Sequence, residues 1–359
     1  MNPAFWQGKN VFVTGHTGFK GSWLCLWLQA LGSQVTGFAL QPDQQSLFNQ
    51  ADVSASMNSL TGDVRDMPAF KIAVAASKPE IVIHMAAQAL VRESYKDPVN
   101  TYTTNVLGVV NLFEAIKSTP GVRAVVNVTT DKCYDNKEWV WGYRENESLG
   151  GHDPYSSSKA CSELVTASYR QSFFSAQHFD QHGVAIATAR AGNVIGGGDY
   201  AVDRLIPDIV SSFATGKTVN IRYPQAIRPW QHVMEPLCGY LMLAQALYEH
   251  GSEYAQAWNF GPHLEDAQTV KWIVRHMAEL WAAQTGAQAA WQVESGQHPH
   301  EAYNLRLDTS KAQSLLAWKP KLNIETALDW VTQWYRGVNQ GHSARELTLK
   351  QIQSYQNLT

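Results

Sequence analysis

The stretch NVFVTGHTGFKG, residues 10–21, decides the fold. Asn10 to Thr14 is an apolar, β-branched run of strand length, and Gly15, Gly18 and Gly21 follow at the turn into a segment with helical spacing. Absent side chains let the backbone approach a pyrophosphate, whose charge then rests on the open N–H groups and positive end of the helix. His16, Phe19 and Lys20 share this loop and join the three glycines as the candidate cofactor-binding set.

Outward from this loop, the N-terminal half repeats one theme of strand, turn and helix. Strands are expected at Asn10 to Thr14, Gln34 to Leu40, Glu80 to Met85, Ala124 to Thr129 and Val184 to Arg190, with helices near 19–31, 99–118 and 155–176. Such alternation predicts an α/β fold with a doubly wound parallel Rossmann sheet. Residues 1–190 read as the dinucleotide-binding domain, with some later segments returning to it. Residues 191–359, looser and richer in Gly and Pro loops, read as a smaller, mixed substrate-binding domain with amphipathic stretches at 235–249 and 269–284. The Gln- and Ser-rich C-terminal end is expected to be loosely held.

Composition narrows the function. Twenty-eight basic against 31 acidic residues leave a net charge of −3, which gives no broad positive field for nucleic acid or an anionic membrane. No segment reads as a signal peptide or a membrane span, so a cytoplasmic location is expected. Cys25, Cys133, Cys161 and Cys238 stand too far apart for a zinc site or a redox dithiol, so they are read as free thiols and no metal is expected.

At the position after the second strand, where many dinucleotide folds carry an acid for the adenosine ribose, this chain has Ala39-Leu40-Gln41. No arginine stands there for a 2′-phosphate, although His16 and Lys20 can approach one, and NAD is preferred over NADP. Asp63 and Val64 are placed to meet the adenine edge, and His84-Met85-Ala86-Ala87, with Ala86 foremost, passes beneath the dinucleotide.

Tyr155 and Lys159 are four apart at the start of a helix, on one face. An ammonium beside a phenol favours the phenolate, which can take a proton from a sugar hydroxyl, while the lysine bonds the nicotinamide ribose. The strand from Val125 delivers Thr129-Thr130-Asp131-Lys132 to the carboxyl edge of the sheet, where ligands of open α/β folds bind. Thr130 can share a hydrogen bond with Tyr155. Asp131 and Lys132 are surplus to hydride transfer, but an acid beside a base is what elimination of water requires.

GHTGFKG, HMAAQ, TTDKCY, YSSSK, RAGNVIGGGD, RPWQHV and WNFG, in this order over nearly the whole chain, resemble the nucleotide-sugar 4,6-dehydratases of the extended short-chain dehydrogenase/reductase family. GHTGFKGSW, TTDKCYDNKEW and the HPHEA run from His298 point to the branch acting on CDP-hexoses, with dTDP- and GDP-hexoses as alternatives. The resemblance implies that Tyr155 removes the 4-hydroxyl proton as carbon 4 gives a hydride to NAD. A base then takes the proton of carbon 5, Asp131 protonates the departing 6-hydroxyl, and the hydride returns to carbon 6. Most relatives carry glutamate as that base; this chain carries Lys132. By the same resemblance Asn193, Arg228 and Asn259 face the pyrophosphate and sugar, Arg204 and Arg222 the nucleotide, and Gln88 and Arg92 the hexose. It also implies a homodimer built on the helices containing Asn105 to Ala115 and Cys161 to Phe174. A 4-epimerase shares Tyr155 and Lys159 without needing Asp131 and Lys132. A sensor that binds the dinucleotide without turnover is the reading from another class.

Overall fold

Seven parallel strands form the central sheet of the computed structural model, which describes residues 1–286, 289–294 and 304–358. In chain order they are β1 Asn10–Thr14, β2 Gln34–Ala39, β3 Asn58–Thr61, β4 Ile81–His84, β5 Ala124–Val128, β6 Ala185–Ala191 and β7 Ala257–Phe260. Across the sheet the order is β7-β6-β5-β4-β1-β2-β3, so the winding reverses between β1 and β4. Ligands of open α/β sheets bind above such a reversal.

The central strands are apolar on both faces, which suits a sheet covered on both sides. Val11, Val13, Ile81, Ile83 and Val126 enter one core, and Phe12, Val82, Val125 and Ile186 the other. The five expected strands are present, and the structure adds two. β3 is a polar edge strand, and β7 arrives from the C-terminal half to pair with β6. The helix Met234–His250 packs against β5 and β6, so this part of the C-terminal half belongs to the sheet layer.

The rest of that half carries three two-stranded pairs, two parallel and one antiparallel. The C-terminal end is firmly held, contrary to expectation. Ala344–Gln356 is a helix whose Tyr355 is 1% exposed, stands edge-on to Trp27 and donates to the Glu235 carboxylate at 2.7 Å. Apolar burial of large aromatics outweighs the polar composition of the segment. All four cysteines are free, and no described helix is long and apolar enough to cross a membrane.

Candidate active site

The glycine turn is tight for a physical reason. Gly15 has φ +72°, and a methyl group there would lie 2.8 Å from the Ala86 nitrogen; at Gly21 it would lie 2.1 Å from the Gly15 carbonyl oxygen. The Thr14 hydroxyl ties the same loops together, accepting from the Met85 and Ala86 amides at 3.0 and 3.1 Å. The helix Phe19–Ala30 begins at Gly18 with no side-chain cap, so its first amides are open to an anion. A dinucleotide pyrophosphate fits this cradle.

Two loop residues differ from expectation in role. His16 is fully buried, bonded to the Ser59 hydroxyl at 2.7 Å and edge-on to Phe48, and burial holds its imidazole near a pKa of about 4. A buried neutral ring is not a partner for a 2′-phosphate. Lys20 leans inward to Tyr240, 3.3 Å from its hydroxyl, and burial followed by the positive charges of Lys159 and Arg204 depresses its ammonium to about 7. The Asp63 carboxylate is gripped by Arg65 through the guanidinium and the backbone amide, and Val64 is core, packed on Gly108.

Asp153 caps the helix Pro154–Ser172, accepting from the Ser156 amide at 2.9 Å, and Pro154 opens its first turn. This start sets Tyr155 and Lys159 against the end of β5. Tyr155 is buried beside the Thr130 hydroxyl, and Lys159 donates to the Val128 carbonyl at 3.2 Å. Burial acts strongly on both groups. Burial pushes the Tyr155 phenol up to about 12, Thr130 and Arg204 oppose the rise, and Asp131 and Asp153 add to it. Burial likewise lowers Lys159 to about 8, against the pull of Glu163. Desolvation is the largest influence on each of them.

Asp131 is 1% exposed; one oxygen accepts from Thr130 at 3.0 Å, and the other has no partner among the described residues. The Lys132 ammonium lies 3.9 Å from the bonded oxygen. Thr130, Asp131, Lys132, Tyr155 and Lys159 are thus gathered at the tip of one strand and the first turns of one helix.

Of the expected substrate contacts, some line this cleft and some do not. Asn193, just past β6, keeps a buried amide oxygen without a partner among the described residues. Arg204 is paired with Asp199 at 2.9 Å and acts electrostatically on both Tyr155 and Lys20, nearer the chemistry than expected. Arg92 reaches Asp203 at 2.7 Å. Arg228 stands in a short strand paired with Gln268–Thr269, and Arg222 follows the strand Val219–Ile221, half-buried.

Asn259 and Gln88 point elsewhere. The Asn259 amide is fully buried, accepting from Tyr134 at 2.8 Å and donating to the Tyr143 and Asp308 carbonyls at 2.8 and 3.1 Å. Gln88 is engaged with Leu90 in its own loop and with Thr101 on the helix Pro98–Tyr102. Neither amide is left for a substrate. The HPHEA run at 298–302 lies outside the described residues.

Two features were missed in the sequence. A methyl on Gly192 would come 2.8 Å from the unpartnered Asp131 oxygen, so this glycine makes room for the acid; its place in RAGN was the available signal. The buried pair Glu163–Arg190 was announced by the interval of four from Lys159 to Glu163.

Comparison with known proteins agrees with this geometry. The family described as GDP-mannose 4,6 dehydratase matches residues 12–330. A CDP-glucose 4,6-dehydratase of Salmonella typhimurium is 52% identical over 360 residues, covering 100% of this chain and 99% of the relative. The dTDP-glucose 4,6-dehydratase DesIV of Streptomyces venezuelae, solved with NAD and TYD bound, has a TM-score of 0.77 at 22% identity, covering 92% of this chain and 98% of its own. A UDP-glucose-4-epimerase of Stenotrophomonas maltophila, solved with NAD and formylated UDP-arabinopyranose, has a TM-score of 0.78 at 21% identity, covering 93% of this chain and 99% of its own. The last two show a shared fold. With a family match over most of the chain and a relative above half identity over all of it, the chain belongs to the nucleotide-sugar 4,6-dehydratases of the extended short-chain dehydrogenase/reductase family.

Proposed function

We propose that this enzyme converts CDP-D-glucose to CDP-4-dehydro-6-deoxy-D-glucose, with NAD as its resident cofactor, in the cytoplasm and as a homodimer. The observation that carries the reading is the placement of Asp131 and Lys132 beside Tyr155, in a chain 52% identical throughout to a CDP-glucose 4,6-dehydratase.

Gly15, Gly18 and Gly21 would hold the pyrophosphate of the dinucleotide, with Ala86 beneath it and Lys159 at its nicotinamide end. When bound, this group supplies the electron acceptor at carbon 4 and the donor at carbon 6. His16, buried and neutral, offers no charge to a 2′-phosphate, which favours NAD over NADP. Tyr155 takes the proton of the 4-hydroxyl, and Thr130 orients the two oxygens. Asp131 hands its proton to the departing 6-hydroxyl. Lys132 takes the proton from carbon 5, which requires a neutral amine. After elimination the two groups stand as carboxylate and ammonium, the charges of an ion pair whose atoms lie 3.9 Å apart. Asn193, Arg204, Arg222, Arg228 and Arg92 surround the nucleotide sugar; the planar guanidinium suits paired phosphate oxygens.

Four free thiols accord with a reducing compartment. Tyr102 and Leu107 are exposed within the helical stretch 98–117, Leu164 on the helix 154–172 and Phe173 just past its end, apolar side chains that suit contact with a second copy. Incubation with CDP-, dTDP- and GDP-hexoses and NAD, followed by mass spectrometry, tests the assignment. Loss of water from CDP-glucose is expected. Preference for another nucleotide, or an isomer of unchanged mass as an epimerase would make, overturns it.

A further inference from the structure

Glu163 stands on the helix face that carries Tyr155 and Lys159, and its carboxylate is 4% exposed. One oxygen accepts from the Thr129 hydroxyl at 2.5 Å and Arg190 Nε at 2.9 Å; the other accepts from the Thr188 hydroxyl at 2.7 Å and Arg190 Nη2 at 2.8 Å. Arg190 Nη1 goes on to the Tyr134 hydroxyl at 2.7 Å and the Glu145 carbonyl at 3.1 Å, and Tyr134 donates to Asn259 on β7. One ion pair therefore ties the helix of the catalytic tyrosine to β5, β6 and β7. Lys159 holds Val128, the last residue of β5, and Glu163 holds the residue that follows it, Thr129.

A buried pair of this kind gains little stability over a well-packed apolar pair of similar volume, because taking two charges out of water offsets their attraction. Its position suggests another use. We propose that Glu163 is a positioning residue for catalysis: it fixes the strand tip bearing Thr130 and Asp131 against Tyr155, and it is the counter-charge that keeps Lys159 an ammonium. The inference rests on the dehydratase reading given above.

The charges around Lys159 make Glu163 decisive. Its own helix supplies Glu163; the end of β5 supplies the Val128 carbonyl, and Cys133 follows it. His84 on β4 is held neutral by burial, near a pKa of about 3, and Lys20 on the first crossover helix is a competing cation. Burial already brings Lys159 down to about 8, and Glu163 is the foremost group acting the other way. Without its negative charge the ammonium is easier to discharge.

Glu163→Gln should move the alkaline limb of the kcat–pH profile down by roughly one unit, with KM for the nucleotide sugar within about twofold. A group half charged at pH 8 is then about one-tenth charged, so kcat there falls about fivefold. Glu163→Asp, which restores the charge, should return the limb toward its original place. A purely structural role predicts a lower Tm and a smaller active fraction with the limb unmoved, and that result overturns the proposal. Should the glutamine variant not fold, the double change Glu163→Met with Arg190→Met removes both charges; an unmoved limb there overturns it equally. Competitive acetylation of the lysines with trace acetic anhydride across pH, read by peptide mass spectrometry, reports the midpoint of Lys159 directly. It needs no turnover, so an error in the substrate assignment leaves this readout intact. A Lys159 midpoint equal in Glu163→Gln and wild type refutes the charge role.

Discussion

Asp131→Asn replaces one oxygen by nitrogen at a side chain that is 1% exposed, and it isolates the acid step. The amide has the shape of the carboxylate and can keep the 3.0 Å bond from Thr130. Its new N–H₂ sits where a carboxylate oxygen had no partner among the described residues, and a buried unsatisfied polar group costs about 1–3 kcal/mol. At about 2–4 °C per kcal/mol for a chain of this class, Tm should fall by at most roughly 10 °C, and the protein should remain folded. The chemical loss is larger. A positioned general acid contributes about 10²–10⁴-fold, equivalent to about 3–5 kcal/mol of barrier, so kcat should drop by that factor while KM for the nucleotide sugar stays within a few-fold. Run in deuterium oxide, the variant should return starting sugar carrying deuterium at carbon 5, because Lys132 still takes that proton while the 6-hydroxyl lacks its donor. Mass spectrometry separates this exchange from loss of water. Water loss at the wild-type rate would refute the acid role, and loss of exchange together with elimination would place Asp131 at an earlier step.

Tyr155→Phe removes the group that takes the 4-hydroxyl proton, so turnover should fall by about 10²–10⁴-fold while fluorescence titration still finds the dinucleotide bound; retained activity would move the base elsewhere. Gly192→Ala places a methyl 2.8 Å from the free Asp131 oxygen and 2.9 Å from Pro229, and displacing the acid by an ångström should lower kcat by up to about 100-fold with little change in KM. An unchanged kcat would show that the acid does not depend on that clearance. Glu235 is fully buried, and burial raises its carboxyl to about 7 despite hydrogen bonds from Tyr355 and the Leu322 and Lys321 amides. Its folded value lies above its unfolded one, so its contribution is complete below about pH 4.5 and is lost as pH rises through 7, amounting to about 3 kcal/mol at most. Glu235→Gln should therefore narrow the difference in Tm between pH 5 and pH 8, and calorimetry showing the same difference as wild type would remove Glu235 as its source.

The parts of the fold and site that could be read in the chain are those governed by local pattern. The cradle needs glycines at a turn, Tyr155 and Lys159 need one helical turn between them, and the central strands need both faces apolar. β3 escaped notice because an edge strand of sequence NSLT, mostly exposed, has neither an apolar run nor a clear alternation. β7 was hidden because its membership depends on pairing with β6, about 70 residues earlier by the pairing of Asn259 with Arg190. Asn259 and Gln88 were misplaced for a related reason. An amide looks equally available in the sequence whether it meets a ligand or a carbonyl, and the bond from Tyr134 to Asn259 spans 125 residues. Burial was equally invisible, and it is the main influence on the Tyr155 phenol, which it raises.

The helix Phe19–Ala30 is buried along its whole middle, Gly21 to Leu28, and part of its cover is the last helix of the chain. Arg345 bonds the Gln29 amide oxygen across 316 residues of sequence. While a ribosome is still making the chain, the greasy side of the nucleotide fold must therefore wait for the helix that starts at Ala344 to emerge. Nascent chains stalled before Ala344 should thus attract chaperones, and a lesion near the final helix should act by leaving newly made protein sticky rather than by altering the chemistry.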